Sequence, residues 1–460
     1  MPSTWNPATP RGNNPSDMRA LLSKAVAILA LSGCLRAAEN ADAPVQTATA
    51  VQPANPALTQ SPENEGLYDR IEKCCTPRSG IQFQILYSGE VLGNVSGGAR
   101  QGAIYEGLLK AGLQIDLEKV WGWKEARFFA GALYAHGPSL TQNYVHDLNV
   151  VSNIDAYDSL RLNELWFEQG FLDGRFSIRL GQLAADTEFF VCDSGGLFIN
   201  SSFGVLPIIS LNFEAPTFPL TAPGLRMEWK LNEAFLWRTG IFSGDLGSQS
   251  GNNKHGARFS INSDNGAFIL TEAVYKINAG EGAKGPPGVF KLGGFYQTGE
   301  FPDVSGSNIT HRGDYGAYVI SDQAIYREHS GCGCKDGKEC AKPDDQGLNV
   351  FGRAGFAAPA SRNLVSGYVE GGLTYKGLIP GRDKDVCGLA CSYTHISADV
   401  HSDSGGAVQS HHETVIEATY QAALTDWLTF QPEFQYVINP GAIAHAPNAV
   451  VIGARFSLTF

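Results

Sequence analysis

The run Val450-Val451-Ile452-Gly453-Ala454-Arg455-Phe456-Ser457-Leu458-Thr459-Phe460 decides the fold. Side chains alternate across an extended chain, so Val450, Ile452, Ala454, Phe456, Leu458 and Phe460 share one face, opposite Val451, Gly453, Arg455, Ser457 and Thr459. The first of these faces is wholly apolar. The preceding stretch repeats the pattern, with Leu428, Phe430, Phe434, Tyr436 and Ile438 against Thr429, Gln431, Glu433 and Gln435. Earlier in the chain Leu109, Ala111, Leu113, Ile115 and Leu117 oppose Lys110, Gln114, Asp116 and Glu118. Leu225, Met227, Trp229 and Leu231 likewise oppose Arg226, Glu228 and Lys230. Segments of about ten residues, rising roughly 3.3 Å per residue and tilted by about 45°, match the hydrocarbon thickness of a bilayer.

Sixteen such segments run from 81–88 to 450–460, and no helical stripe of comparable length interrupts them. Two arrangements fit the alternation: a soluble sandwich or propeller with a dry interior, and a membrane barrel with lipid outside and water within. The connections discriminate. Segments 171–174, 232–234 and 423–427 are tight, whereas 137–158, 183–223, 243–266 and 398–412 are long. Short turns at one end and long loops at the other, with an even strand count, are features of outer-membrane barrels. The polar face carries Lys110, Asp116, Glu118, Arg226, Glu228, Lys230, Glu417 and Glu433, which suits a wet lumen. The pattern therefore predicts an all-β fold, a sixteen-stranded antiparallel transmembrane β-barrel over 80–460. Trp121, Trp123, Tyr375, Trp427 and Phe460 fall at segment ends, where an interfacial girdle would lie.

Composition agrees. The 460 residues include 53 Gly, are 43% hydrophobic and only 17% charged, which excludes intrinsic disorder for most of the chain. A formal net charge of -12 without a basic block argues against a nucleic-acid partner. The apolar run Ala25 to Leu31, flanked by Arg19 and Lys24, is too short to span a bilayer and reads as an export signal over 1–38. Two processing sites compete: Leu31-Ser32-Gly33-Cys34 has the form of a lipobox, which would lipidate Cys34, and Ala37 or Ala38 would end an ordinary secretory signal. Residues 39–79, rich in Ala, Pro, Thr and Gln, read as a flexible linker. Nine cysteines in an exported chain favour disulfides over a thiol active site.

Specific stretches carry a family resemblance: Ser88 to Gly98 (SGEVLGNVSGG), Leu162 to Gln169 (LNELWFEQ), Leu180 to Phe189 (LGQLAADTEF), Gly196 to Gly204 (GLFINSSFG), Leu373 to Gly381 (LTYKGLIPG) and the last strand. In these the chain resembles the carbohydrate-selective porins of the OprB type, over nearly its whole length after the linker. The resemblance implies a sixteen-stranded outer-membrane barrel of a bacterium that passes sugars by facilitated diffusion. Cys332, Cys334, Cys340 and the lipobox depart from the family's usual pattern, which bears on sugar preference rather than on fold.

A sugar pore performs no reaction and needs no cofactor. It needs a constriction that replaces water's hydrogen bonds to hydroxyls while releasing the sugar readily. The segment 183–223, about forty residues, contains Phe189, Phe190, Leu197, Phe198, Phe203, Leu206, Ile208 and Ile209, too many apolar side chains for bulk water. It is expected to fold into the lumen as the constriction loop. On the strand before it, Glu164, Trp166 and Glu168 share the polar face, and Arg161 breaks phase with Glu164, which requires a local bulge or a position above the membrane. On the next strand Arg179 faces water, while Ile178 and Leu180 face lipid. Asp186, Arg238, Lys291, Arg353 and Glu370 complete the candidate lining residues. Mono- or oligosaccharides are the expected permeants, with outer-membrane lipids around the barrel and Phe460 as an address for the barrel-assembly machinery. Three alternatives stay open: a general porin, a barrel enzyme of lipase or protease type, and a plugged structural barrel. The enzyme reading has little support. Asp193-Ser194-Gly195-Gly196 and Asp403-Ser404-Gly405-Gly406 match a protease nucleophile motif, yet neither has the required His-bearing context. Cys332, Cys334, Cys340 and His329 fit no standard zinc spacing, and a disulfide between two of these cysteines is favoured over a metal. Cys387 and Cys391, four apart on one strand, are too far separated to pair.

Overall fold

The computed structural model describes residues 80–247, 253–259, 261–262, 265–280, 285–328, 346–400 and 410–460. The export signal, the linker, the Cys332–Cys340 group and the second protease-like motif lie outside the described residues. Antiparallel strands make one closed sheet of sixteen: β1 (Ile81–Ser96), β2 (Gly102–Asp116), β3 (Ala126–His136), β4 (Ser159–Phe171), β5 (Phe176–Leu183), β6 (Ala222–Lys230), β7 (Phe235–Ser243) and β8 (Ala267–Ile277) form the first half. The second half is β9 (Gly288–Pro302), β10 (Thr310–Arg327), β11 (Gly347–Ala357), β12 (Val365–Lys376), β13 (Val386–Ile396), β14 (His412–Ala423), β15 (Leu428–Ile438) and β16 (Ala449–Thr459). Every strand pairs with its sequence neighbours and β1 pairs with β16, so two stacked sheets are ruled out. At the seam Glu90 lies opposite Arg455 and Val91 opposite Ala454, and Ile85 and Phe460 exchange backbone hydrogen bonds of 2.9 and 3.2 Å.

The two faces separate as the alternation requires. Leu180 and Leu292 are each 61% exposed on the outside, whereas Glu90 is wholly buried within. Trp121 and Trp123 stand exposed at the end with the tight turns, and Trp427 stacks on Phe460 at 6.5 Å.

Two local departures from the sequence expectation have physical causes. β1 continues to Ser96 instead of stopping at 88. Glycine there serves close packing: a Cβ on Gly89 would lie 2.6 Å from the Phe456 ring. The segment expected to run through 118 ends at Asp116, whose side chain caps a short helix, α1 (Leu117–Trp121), by accepting from the Lys119 amide at 3.1 Å. Leu117 is therefore buried instead of facing lipid, and Glu118 accepts from the Glu125 amide instead of lining the strand. On β4 the register slips between Ala130 and Ala132 of its neighbour, which is the bulge that lets Arg161 and Glu164 both point inward.

The inner wall is not uniformly wet. Phe242, Phe268, Phe295, Tyr318 and Phe351 form an apolar patch, and Phe189, Phe190, Phe198, Phe203, Leu206, Ile208 and Ile209 of the connection between β5 and β6 are buried against it. That connection thus folds into the barrel, as its composition predicts. The connection between β3 and β4 joins it: Asn153 donates its amide to Ile199 O at 2.8 Å, and Ser201 to Val150 O at 2.9 Å. Each buried aromatic or aliphatic side chain stabilises the docked loop by roughly 2 kcal/mol. Phe203→Ala is expected to weaken docking by about 3 kcal/mol. Single-channel conductance should rise while the barrel's heat-modifiable migration in gels stays unchanged.

Candidate functional site

Consecutive strands bring a row of charges to one level of the wall. Glu168 on β4 lies directly opposite Arg179 on β5, Arg179 opposite Arg226 on β6, Glu228 on β6 opposite Arg238 on β7, and Arg238 opposite Glu272 on β8. Two guanidiniums facing each other across β5 and β6 would repel. Glu168 and Glu188 prevent this. Arg226 Nη2 lies 2.5 Å from Glu168 and 2.8 Å from Glu188, while Arg179 lies 3.0 Å from Glu168 and 3.5 Å from Glu188. Glu188 belongs to the inner loop, so the loop supplies the counter-charge its own wall needs. Burial alone would raise the Glu188 carboxyl, but Arg179, Arg226 and Arg238 outweigh burial and hold it well below the ordinary carboxylate range. Arg238 closes the row, 3.2 Å from Glu228 and bonded to the Glu188 carbonyl. The row, with Trp166, Lys291 and Asp322, lines a cavity of about 710 Å³ on the side of the loop nearer the tight turns.

A match to the family described as "Carbohydrate-selective porin, OprB family" spans residues 100–460. The chain belongs to that family. It is 25% identical over 423 residues to Porin B of Pseudomonas aeruginosa, covering 83% of this chain and 88% of that protein. The putative porin QuiX of Acinetobacter baylyi is 21% identical over 413 residues, 83% of this chain and 90% of that one. Among solved structures, the high-pH structure of Pseudomonas putida OprB aligns with a TM-score of 0.73 at 24% identity, covering 89% of this chain and all of that one. The chain is an outer-membrane carbohydrate porin, a channel and not an enzyme.

In this porin the sequence candidates divide into groups. Glu168, Arg179 and Arg238 belong to the charged row, and Lys291 borders the same cavity, its Nζ donating to Val191 O at 2.7 Å. Glu164 is buried on the same wall and accepts from the Ala184 amide at 3.3 Å, at the root of the loop. Trp166 borders the cavity, but neither ring face is open to a sugar. Phe129 stacks on the indole at 5.3 Å and the Arg179 guanidinium lies 3.8 Å from its centroid. Trp166 thus orients Arg179.

Arg353 and Glu370 do not line open lumen, contrary to the sequence expectation. They form a fully buried ion pair, and Arg353 donates to the carbonyls of Phe190 at 3.2 Å, Ser202 at 2.9 Å and Gly204. Apolar loop segments cover them, so this pair holds the loop's backbone. Arg161 also stands apart from the row, near the outer end of β4, and makes no ion pair among the described residues.

Sequence reasoning placed Glu417 on the wet face but missed the fastening of the loops by it, Glu413 and Glu272. Glu413 on β14 accepts from the amides of Leu148 and Asn149 at 2.8 and 2.7 Å. Glu417, four residues on and on the same face, accepts from Ile199 and Asn200 at 2.7 and 2.8 Å. Glu272 takes the Phe190 amide at 2.9 Å. The usable signal was acidic residues at period two facing an apolar loop, whose backbone amides must find acceptors. The Ser194 amide and hydroxyl both donate to Asp322, at 2.8 and 2.7 Å, which accounts for the first protease-like motif structurally. Cys192, Cys387 and Cys391 are free among the described residues.

Asp186 in the loop is buried and accepts from the Phe218 amide at 3.1 Å, and burial pushes its carboxyl up to about 6. It is neutral below that value and anionic above it, so the lumen gains a negative charge as pH rises. Reversal potentials in a KCl gradient should move toward cation preference between about pH 5 and about pH 7, and Asp186→Asn should reduce that step, the loop carboxyls Asp155 and Asp193, which burial also raises, supplying the rest. Glu188→Gln leaves three guanidiniums with one counter-charge fewer. The same measurement at constant pH should then move toward chloride.

Proposed function

We propose that sugars cross this porin by passive diffusion along the row of Glu168, Arg179, Arg226, Glu188 and Arg238. The carrying observation is that these groups are mutually paired yet border a cavity. Paired guanidiniums and carboxylates present directional donors and acceptors with little net field, which favours a neutral polyhydroxylated permeant over an ion. A hydroxyl exchanges its water partners for these groups one at a time, and no single contact is strong enough to trap it. Recognition by ring stacking is a lesser part of this reading, because Trp166 is covered on both faces.

The same reading assigns residues 1–38 to export and 39–79 to a periplasmic linker, the outward apolar face to outer-membrane lipids, and the strand ending in Phe460 to recognition by the barrel-assembly machinery. A general, unselective porin is the competing reading, favoured by the absence of an open aromatic platform at Trp166.

Liposome swelling with a graded series of sugars against neutral amino acids of matching size separates the two. Sugars should permeate several-fold faster, and equal rates would make the protein a general porin. Arg179→Ala should change sugar rates at least severalfold, because it removes one donor and uncovers Trp166, while Ile178→Val on the lipid face should leave them near wild type. Absence of any conductance in planar bilayers would mean a plugged barrel.

A further inference from the structure

Side chains that face the water inside a barrel are ordinarily polar. On β7 to β10 four of them are aliphatic instead. Leu236, Val274, Val289 and Ile320 occupy inward positions, one on each strand, and border the same cavity as the charged row. The register sets them nearer the tight turns than that row. Arg238 lies opposite Glu272, and two residues along, Leu236 lies opposite Val274, Val274 opposite Lys291 and Lys291 opposite Ile320. Val289 follows two residues from Lys291 on β9. Leu236, Val274 and Val289 pack side by side as a cluster of their own, separate from the core that the loop's phenylalanines join. They are 9%, 4% and 6% exposed, so they form a shallow apolar wall of the cavity and not a deep slot.

An apolar wall beside a polar one in a single cavity suits a solute with both kinds of surface. Leu236 and Arg238 are two residues apart on one strand, about 7 Å, which is the scale of two linked six-membered rings. A cavity of about 710 Å³ has room for such a molecule. The flanks narrow the choice of apolar group. Lys230 lies opposite Leu236 and Lys276 opposite Val289, and both border the cavity. An aromatic ring combines an apolar body with a face that attracts ammonium groups, and an alkyl group lacks that face.

We propose that this strip receives the aromatic aglycone of an aryl glycoside while the sugar's hydroxyls engage the charged row, which makes aryl glycosides preferred permeants of the channel. The proposal rests on the sugar-porin reading and deepens it by naming the substrate class. It also assigns the apolar contact that the covered ring of Trp166 does not provide.

Single-channel recordings of the full-length porin in planar bilayers test it, with phenyl β-glucoside compared against cellobiose, which carries a second sugar ring in place of the phenyl group. Phenyl β-glucoside should interrupt the ion current at a half-blocking concentration about tenfold lower than cellobiose. Val274→Thr and Val289→Thr, isosteric changes on separate strands, should each raise that concentration about threefold and leave the cellobiose value unchanged. Equal half-blocking concentrations for the two solutes in the wild type, or no change for phenyl β-glucoside in both variants, overturns the aglycone site. Block by cyclohexyl β-glucoside at the same concentration as the phenyl compound overturns the aromatic assignment, and block by benzyl alcohol at that concentration overturns the glycoside. The sugar reading fails separately, in wild-type liposomes, if glucose enters no faster than a neutral amino acid of its size.

Discussion

The pairing of β1 with β16 is the constraint on which the rest depends. An open sheet edge in hydrocarbon would leave a row of amides and carbonyls without partners, each costing several kcal/mol. Closure removes that cost and in the same step creates an interior. Once the interior exists, every second side chain on every strand faces it, and the charged row, the loop fastenings and the cavity all draw on that set. Glu90 and Arg455 face each other at the seam itself, so closure and lumen chemistry meet in one cross-strand pair.

Filling the interior is a problem of its own. A sixteen-stranded wall encloses more space than its side chains occupy, and water would fill the rest. The inner loop divides the space by two different means. On the side of β7 to β11 it meets aromatic wall residues and packs dry, whereas toward β5 and β6 it offers Glu188 to the wall's arginines. The same forty-odd residues therefore act as apolar filler and as part of a polar lining.

The strands were readable because a half-wet, half-greasy wall imposes a strict period of two, and nothing else in the chain competes with it. The phase conflict between Arg161 and Glu164 left a bulge and a position above the membrane both open, and the register slip decides for the bulge. The inward course of the loop was readable from its phenylalanines and isoleucines. Roles were harder. Arg353 and Glu370 carry the same pattern as Glu168 and Arg179, and only the path of the loop over them makes one pair a tether and the other a lining. Trp166 reads as a lining residue of the polar face, and the contacts of Phe129 and Arg179 with its ring have no local signature. The course of β1 beyond 88 was not legible because the ring that needs the space at Gly89, Phe456, is supplied by the strand at the far end of the chain.

Glu413 and Glu417 give the aperture an unusual mechanical foundation. Both inward loops are fastened to β14 and laced to each other by backbone bonds, and the second is tied as well to β8, β10 and β11, so they make a lintel rather than two flaps. A lintel fixed in this way leaves the bore constant while the groups painted on it change. Evolution could then retune which solutes pass by swapping side chains along the opening, with the fastenings that set its width left untouched.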